Sequence, residues 1–209
     1  MSISEISSAL AGYEPDLIGP EPEHRAAVAV VLREDRGVPE ILLIHRADKD
    51  GDPWSGHMAF PGGRVDPGDE TLDHAARRET HEEVGVSLAG VPLLGRIDDL
   101  QGRRAGRPSG MVISAFVYHL HEPPPGLILQ ESEVQNAFFF PLWELGNPER
   151  HVRRQFHETG DWEFPGIVVG EPERHVVWGL TYRFIEVFYG AVGRNFPKGW
   201  DREVFSGQG

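Results

Sequence analysis

The chain has no cysteine in its 209 residues. Disulfides, thiol nucleophiles and zinc–thiolate sites are therefore excluded. No apolar run approaches the roughly 20 residues that a membrane-spanning helix needs. Residues 1–15 have neither a basic start nor an apolar centre, so they do not read as a secretory signal, and the expected location is cytoplasmic. Positive charge is scarce: 20 Lys and Arg stand against 33 Asp and Glu, a net charge of −13. Non-specific nucleic-acid binding runs on Lys and Arg, so this balance disfavours it. A polyanionic small molecule would need a metal ion or a local cluster of Arg. Internal repeats and low-complexity tracts are also missing. The length suits one domain with a sizeable core.

What the chain does have is concentrated between Met58 and Val86. A glycine-rich turn, Phe60-Pro61-Gly62-Gly63, precedes a helical pattern carrying Arg78-Glu79-Thr80-His81-Glu82-Glu83-Val84-Gly85. Positions i, i+3 and i+4 of a helix share a face, so Glu79, Glu82 and Glu83 point into one small volume. Like charges so placed repel, and a hard divalent cation such as Mg²⁺ or Mn²⁺ would turn that cost into a gain. Thr71 can cap this helix. Leu72, Ala76, Thr80 and Val84 give it a buried face, and Gly85 lies at its end.

Around this stretch the pattern alternates between strands and helices. Ile3, Ile6 and Leu10 have helical spacing ending at Gly12, and Tyr13 to His24 reads as a surface linker. Arg25 to Arg33 and Glu40 to Arg46 read as strands joined by a hairpin turn. Leu93 to Asp98 and Met111 to His121 read as further strands. Between them Leu100 to Gly110 carries Arg103, Arg104 and Arg107. Two readings of that segment stand: a solvated loop, or a phosphate-binding loop, since guanidinium forks suit phosphate oxygens. Ala137 to Leu142 is an aromatic strand preceded by Glu131 and Glu133. Residues 151–170 suggest a hairpin turning at Gly160-Asp161. His175 to Val192 reads as the last helix, with Val177, Leu180, Phe184, Val187 and Phe188 as its apolar stripe and Trp178 and Tyr182 as core or interface residues. This order predicts an α/β fold, a mixed sheet with a helix on either face. The expected division is a helix and linker over 1–24, one domain over 25–192 and a tail over 193–209. No His pair has metal-site spacing with a third ligand. His57, just before the glycine turn, is placed to line a pocket.

The central stretch resembles the Nudix box, G-x5-E-x7-R-E-U-x-E-E-x-G-U, with U a bulky apolar residue. From Glu70 onward the match is in register through Arg78-Glu79, Glu82-Glu83 and Gly85, with Thr80 at the first U position. Six residues separate Gly63 from Glu70, unless Asp69 takes the Glu position. The resemblance covers roughly residues 25–190 and implies the Nudix α/β/α sandwich. It also implies divalent-metal-dependent hydrolysis of a nucleoside diphosphate linked to another moiety. By the same resemblance Gly63 (through its carbonyl), Glu79, Glu82 and Glu83 hold metal. Glu70 and Arg78 pair to brace the loop. Glu133, where the family often has a Glu before a strand, is a further ligand or base, or else a structural residue.

Within the family, the extra residue in the loop resembles the coenzyme A pyrophosphatase branch. So do Leu42-Leu43-Ile44-His45-Arg46-Ala47, the frame Gly56-x3-Phe60-Pro61-Gly62-Gly63, and Trp178-Gly179-Leu180-Thr181. The branch's Thr is Ile44 here, and Asp52 falls where it has a middle Arg. The substrate expected is coenzyme A or a thioester of it, with Arg46, His57, Arg103, Arg104 and Arg107 as binding residues. Another nucleoside diphosphate derivative such as ADP-ribose or NADH, or a nucleoside triphosphate, is the alternative. A silent binding module would usually have lost a box Glu, and none is lost. An RNA-processing enzyme fits poorly with the acidic charge. A homodimer is compatible with the pattern.

Overall fold

The computed structural model describes residues 1–19, 24–51, 54–104, 107–122, 124–155 and 163–197, and the side chains of residues 103, 104 and 107–109 lie outside that description. The first helix is α1 (Ile3–Ala11). A mixed sheet is then built from β1 (His24–Asp35), β2 (Val38–Arg46), β3 (Met58–Ala59) and β4 (Gly62–Arg64), followed by helix α2 (Leu72–Val84). Strands β5 (Leu93–Arg104), β6 (Arg107–Leu120) and β7 (Val134–Pro141) complete it. Its order is β3-β2-β1-β6-β5, with β4 paired to β1 and β7 to β2. Only the β1–β6 pairing is parallel, with Val28 opposite Ala115; the other described pairings in this sheet are antiparallel. A second, three-stranded sheet joins β8 (His151–Gln155), β9 (Glu163–Val168) and β10 (Val176–Trp178), and α3 (Gly179–Ala191) follows.

Strand side chains alternate between faces, and the large sheet uses both. From β1, Ala27, Ala29 and Val31 join Leu42 and Ile44 of β2 against Ala75, Ala76 and Val84 of α2. The intervening Ala26, Val30 and Leu32 face the other way, toward Ile6 and Leu10 of α1 and Phe184 and Phe188 of α3. This is the expected α/β/α sandwich with a mixed sheet. Among the described residues no helix is long and apolar enough to cross a membrane.

Several local expectations are corrected. The described residues of 100–110 are strand, not open loop: β5 runs on to Arg104 and β6 starts at Arg107, with Arg103 opposite Pro108. Polar, glycine-containing composition reads as a loop locally, but the β5–β6 ladder takes up the described residues on both sides. The last helix starts at Gly179, not His175. Val176, Val177 and Trp178 pair with Val168, Ile167 and Gly166 as a strand, and Gly179 turns the chain at φ +62°. The helix then buries Tyr182, Phe184, Ile185, Phe188 and Tyr189, while Leu180 and Val187 are only partly buried. The segment after α1 runs over the surface as expected in its described residues and is hydrogen-bonded to β5. Tyr13 donates to Asp98 at 2.7 Å, and the backbone amides of Asp16 and Ile18 donate to Asp98 and Asp99 at 2.9 and 3.1 Å. The turn expected at Gly160-Asp161 lies outside the described residues.

Candidate metal centre

Helix α2 begins at Thr71, whose hydroxyl accepts from the His74 amide at 3.0 Å, and ends at Gly85 in the left-handed region, φ +70°. Its buried side carries Ala75, Ala76, Thr80, Glu83 and Val84. Leu72 is only partly buried. Glu83 is 1% exposed although it is a carboxylate. It accepts the Gly62 amide at 2.8 Å, so the glycine-rich turn and the helix are joined at this side chain. Burial pushes its carboxyl up to about 8, against the opposing effects of the Gly62 hydrogen bond and the Arg46 charge.

Glu79 lies one turn earlier on the same side, and its side chain is 14% exposed. Burial raises its carboxyl, while Arg78 beside it works the other way. Gly63 faces Glu79 so closely that a Cβ there would sit 2.4–2.7 Å from the carboxylate atoms. A side chain at this position would have to displace the Glu79 carboxylate.

The third carboxylate comes from far along the chain. The loop before β7 is hydrogen-bonded to the end of α2: the amides of Ile128 and Gln130 donate to the carbonyls of Val84 and Glu83, both at 3.0 Å. These two bonds occupy carbonyls that a helix end otherwise leaves unpaired. The loop then closes on itself, with the Glu133 amide donating to the Gln130 carbonyl at 2.8 Å, and the Glu133 carbonyl accepts the Ala47 amide at 2.8 Å. Glu133 is thereby brought to α2, and carboxylate oxygens of Glu79, Glu83 and Glu133 lie within 4.8 Å of one another.

Glu82 is not in this group. At 100° per residue it is rotated away from Glu83; its side chain is 53% exposed and accepts Arg78 Nη1 at 3.0 Å. Arg78 does not pair with Glu70. Its Nε and Nη2 donate to Asp69 at 3.0 and 2.9 Å, Nη2 also reaches the Arg64 carbonyl, and Nη1 reaches Glu79 at 2.9 Å. Glu70 is exposed, and its amide donates to His74 Nδ1 at 3.3 Å. A turn in which the Asp69 amide donates to Asp66 at 2.9 Å aims Asp69, not Glu70, at the guanidinium. Asp69 leaves five residues after Gly63, so the box spacing G-x5 is restored with Asp as the acid.

Among the other expected residues, Arg46 stands at the end of β2, with its charge felt at Glu83. The Arg46 amide donates to the His57 carbonyl at 3.0 Å. The ring of His57 packs on Trp178, centroids 4.6 Å apart. Arg103, Arg104 and Arg107 have their backbone in the β5–β6 hairpin; their side chains lie outside the described residues, as does Asp52. The alternative in which Asp69 takes the Glu position is the one the structure adopts; the docking of Gln130 on α2 was not anticipated. The five-residue spacing was a visible signal for Asp69; nothing local pointed to Gln130.

The donor set that converges is all oxygen, from three carboxylates. Such hard donors suit Mg²⁺ or Mn²⁺ and not thiophilic metals. A carboxylate as buried as Glu83 beside two others is costly without a compensating cation, so the residues present fit a divalent ion.

Residues 22–160 match the NUDIX domain family. A Yersinia enterocolitica Nudix hydrolase, NudL, is 30% identical over 165 residues, spanning 78% of each chain. The human mitochondrial coenzyme A diphosphatase NUDT8 is 31% identical over 158 residues, 75% of this chain and 64% of the human one. An uncharacterised Schizosaccharomyces pombe protein is 36% identical over 169 residues, 72% of this chain but only 51% of its own length. The chain thus spans about half to four-fifths of these relatives. In fold it is similar to a MutT/nudix family protein from Enterococcus faecalis, with a TM-score of 0.54 at 22% identity, covering 92% of this chain and 70% of that one. The chain belongs to the Nudix family.

Proposed function

We propose that the protein is a divalent-metal-dependent hydrolase of the pyrophosphate bond in a nucleoside diphosphate derivative. The observation that carries this reading is the convergence of Glu79, Glu83 and Glu133 within 4.8 Å, beside a glycine whose missing Cβ leaves room at Glu79. Bound Mg²⁺ or Mn²⁺ would neutralise the anionic pyrophosphate, whose charge otherwise repels nucleophiles. Glu79, Glu83, Glu133 and the Gly63 carbonyl would hold it, with Glu82 available at the exposed rim. Arg78 orients Glu79 and Glu82 through Nη1. Arg46 brings positive charge to the same place and would receive a substrate phosphate. Glu133 is the exposed member of the three and can pass a proton from attacking water to solvent.

Coenzyme A or its thioesters, cleaved to 3′,5′-ADP and (acyl-)4′-phosphopantetheine, is the substrate this reading favours. The Leu42-Leu43-x-x-Arg46-Ala47 and Gly56-x3-Phe60-Pro61-Gly62-Gly63 frame supports it, as does the likeness to a coenzyme A diphosphatase. Asp52 in place of a middle Arg favours the second reading, another substrate such as ADP-ribose, NADH or a nucleoside triphosphate. Coenzyme A carries a 3′-phosphate that must meet a cation, here Arg46, Lys49 or the Arg103, Arg104 and Arg107 group. One charge-assisted contact contributes about 1.5–3 kcal/mol, about 10- to 150-fold. The test is kcat/KM for coenzyme A against 3′-dephospho-coenzyme A, with Mg²⁺ and with EDTA. A tenfold or greater preference for the phosphorylated form (about 1.4 kcal/mol), lost when those cations are neutralised, supports coenzyme A. Equal rates, or faster cleavage of ADP-ribose, favour the second reading, and turnover in EDTA removes the metal.

A further inference from the structure

We infer that Trp178 and His57 form a stacking shelf for the nucleobase of the substrate. The inference rests on the nucleotide reading proposed above and names a subsite for it. The Trp178 and His57 rings lie 4.6 Å apart at an interplanar angle of 58°, and Phe164 meets Trp178 at 6.0 Å and 65°. Three separate segments supply these rings: the approach to β3, strand β9 and the last residue of β10. Aromatic residues that only fill the core look different here: Tyr182 and Phe188 of α3 are almost wholly buried. Trp178, His57 and Phe164 all retain part of their surface.

The shelf adjoins the carboxylates. The His57 carbonyl accepts the Arg46 amide at 3.0 Å, and the Arg46 charge bears on Glu83. Gly62, five residues after His57, donates its amide to Glu83 at 2.8 Å. Five residues of chain reach no more than about 18 Å. A nucleotide with its phosphates at Arg46 and the carboxylates therefore has aromatic ring surface within reach for its base. Base–aromatic stacking needs no charge, which suits a chain of net charge −13. Strand pairing fixes Trp178 opposite Gly166, and Gly179 at φ +62° turns the chain into α3 directly after it. The ring is thus held by two regular elements, as a binding surface requires.

The probes are adenosine and ribose, both uncharged, so the acidic cluster does not repel them. Their binding is measured by calorimetry and by tryptophan emission in EDTA. The wild-type protein is expected to bind adenosine and not ribose. Trp178→Leu should weaken adenosine binding by about 5- to 150-fold, the range for loss of one base–aromatic stack. Trp178→Phe, which keeps a π face, should retain most of it. His57→Ala is the second removal if Trp178→Leu melts early, and it should also weaken adenosine binding. Equal binding of the two probes, no adenosine binding, or unchanged adenosine affinity in both Trp178→Leu and His57→Ala would overturn the shelf. The probes carry no pyrophosphate and the assay no metal. A failure of the hydrolase reading, seen as no turnover of any nucleoside diphosphate derivative, is thereby distinguishable from a failure of the shelf.

Discussion

Arg78 grips Asp69 with two parallel hydrogen bonds, Nε to Oδ1 at 3.0 Å and Nη2 to Oδ2 at 2.9 Å, and the Asp69 side chain is only 1% exposed. The guanidinium holds the Asp69 carboxyl below its ordinary range. The same Arg contacts the Arg64 carbonyl, Glu79 and Glu82, so one side chain ties the glycine loop to the acidic face of α2.

Asp69→Asn should therefore destabilise the protein by about 1.5–3 kcal/mol, the range for a hydrogen bond to a charged group. Glu70→Gln, on an exposed side chain, should stay within about 0.5 kcal/mol. Thermal melting of both variants decides the matter, and the reverse order would return the brace to Glu70.

The two neighbouring glutamates of α2 should behave unequally. Glu83→Gln removes a member of the converging cluster and is expected to lower kcat by about a hundredfold or more. Glu82→Gln alters an exposed side chain that now faces Arg78, so its effect should be smaller. Side-by-side steady-state kinetics in Mg²⁺ give the ranking, and a Glu82→Gln defect equal to that of Glu83→Gln would place Glu82 among the essential ligands.

Stability should depend on pH through Glu83. Its carboxyl in the folded chain stands at about 8, above the ordinary 4.5. A carboxyl raised in this way contributes stability that is fully present below the ordinary value and is lost as pH rises through the folded one. Metal-free protein should thus lose stability between about pH 4.5 and 8. Metal displaces the proton, so the rise in Tm on adding Mg²⁺ should grow across the same window. Melting curves with Mg²⁺ and with EDTA at several pH values measure both trends. Glu83→Gln should flatten them.

The loop that delivers Glu133 offers a further test. Gln130→Pro removes the amide that donates to the Glu83 carbonyl at 3.0 Å. Mn²⁺ affinity, followed by calorimetry, should fall by about 10- to 100-fold, as for loss of a group that orients a ligand. Gly85→Ala should act on both stability and metal. Its φ of +70° is strained for alanine, and the new Cβ would lie 2.8 Å from Ile128 Cβ. A loss of more than about 1 kcal/mol is expected, and an alanine variant with wild-type Tm and Mn²⁺ affinity would remove the loop from this role.

Much of the architecture was legible from local pattern. The alternation in β1 sends Ala27, Ala29 and Val31 to one face and Ala26, Val30 and Leu32 to the other, and that pattern alone demands cover on both sides of the sheet. Thr71 and Gly85 mark the ends of α2 because capping is a matter of a few adjacent residues. Helical periodicity likewise places Glu79 and Glu83 one turn apart. Tertiary structure decided what lies across the chain from them. Glu133 joins the cluster because amides of its loop complete the end of α2, a contact between residues some fifty positions apart. The acid that Arg78 selects depends on how the turn at Asp66 aims two consecutive side chains. Val176 to Trp178 read by sequence as the start of the last helix, with Val177 in its apolar stripe, yet β9 supplies backbone partners and takes them as a strand. Periodicity is a property of neighbours along the chain, whereas pairing, aim and convergence depend on surfaces that exist only once the sheet and helices have packed.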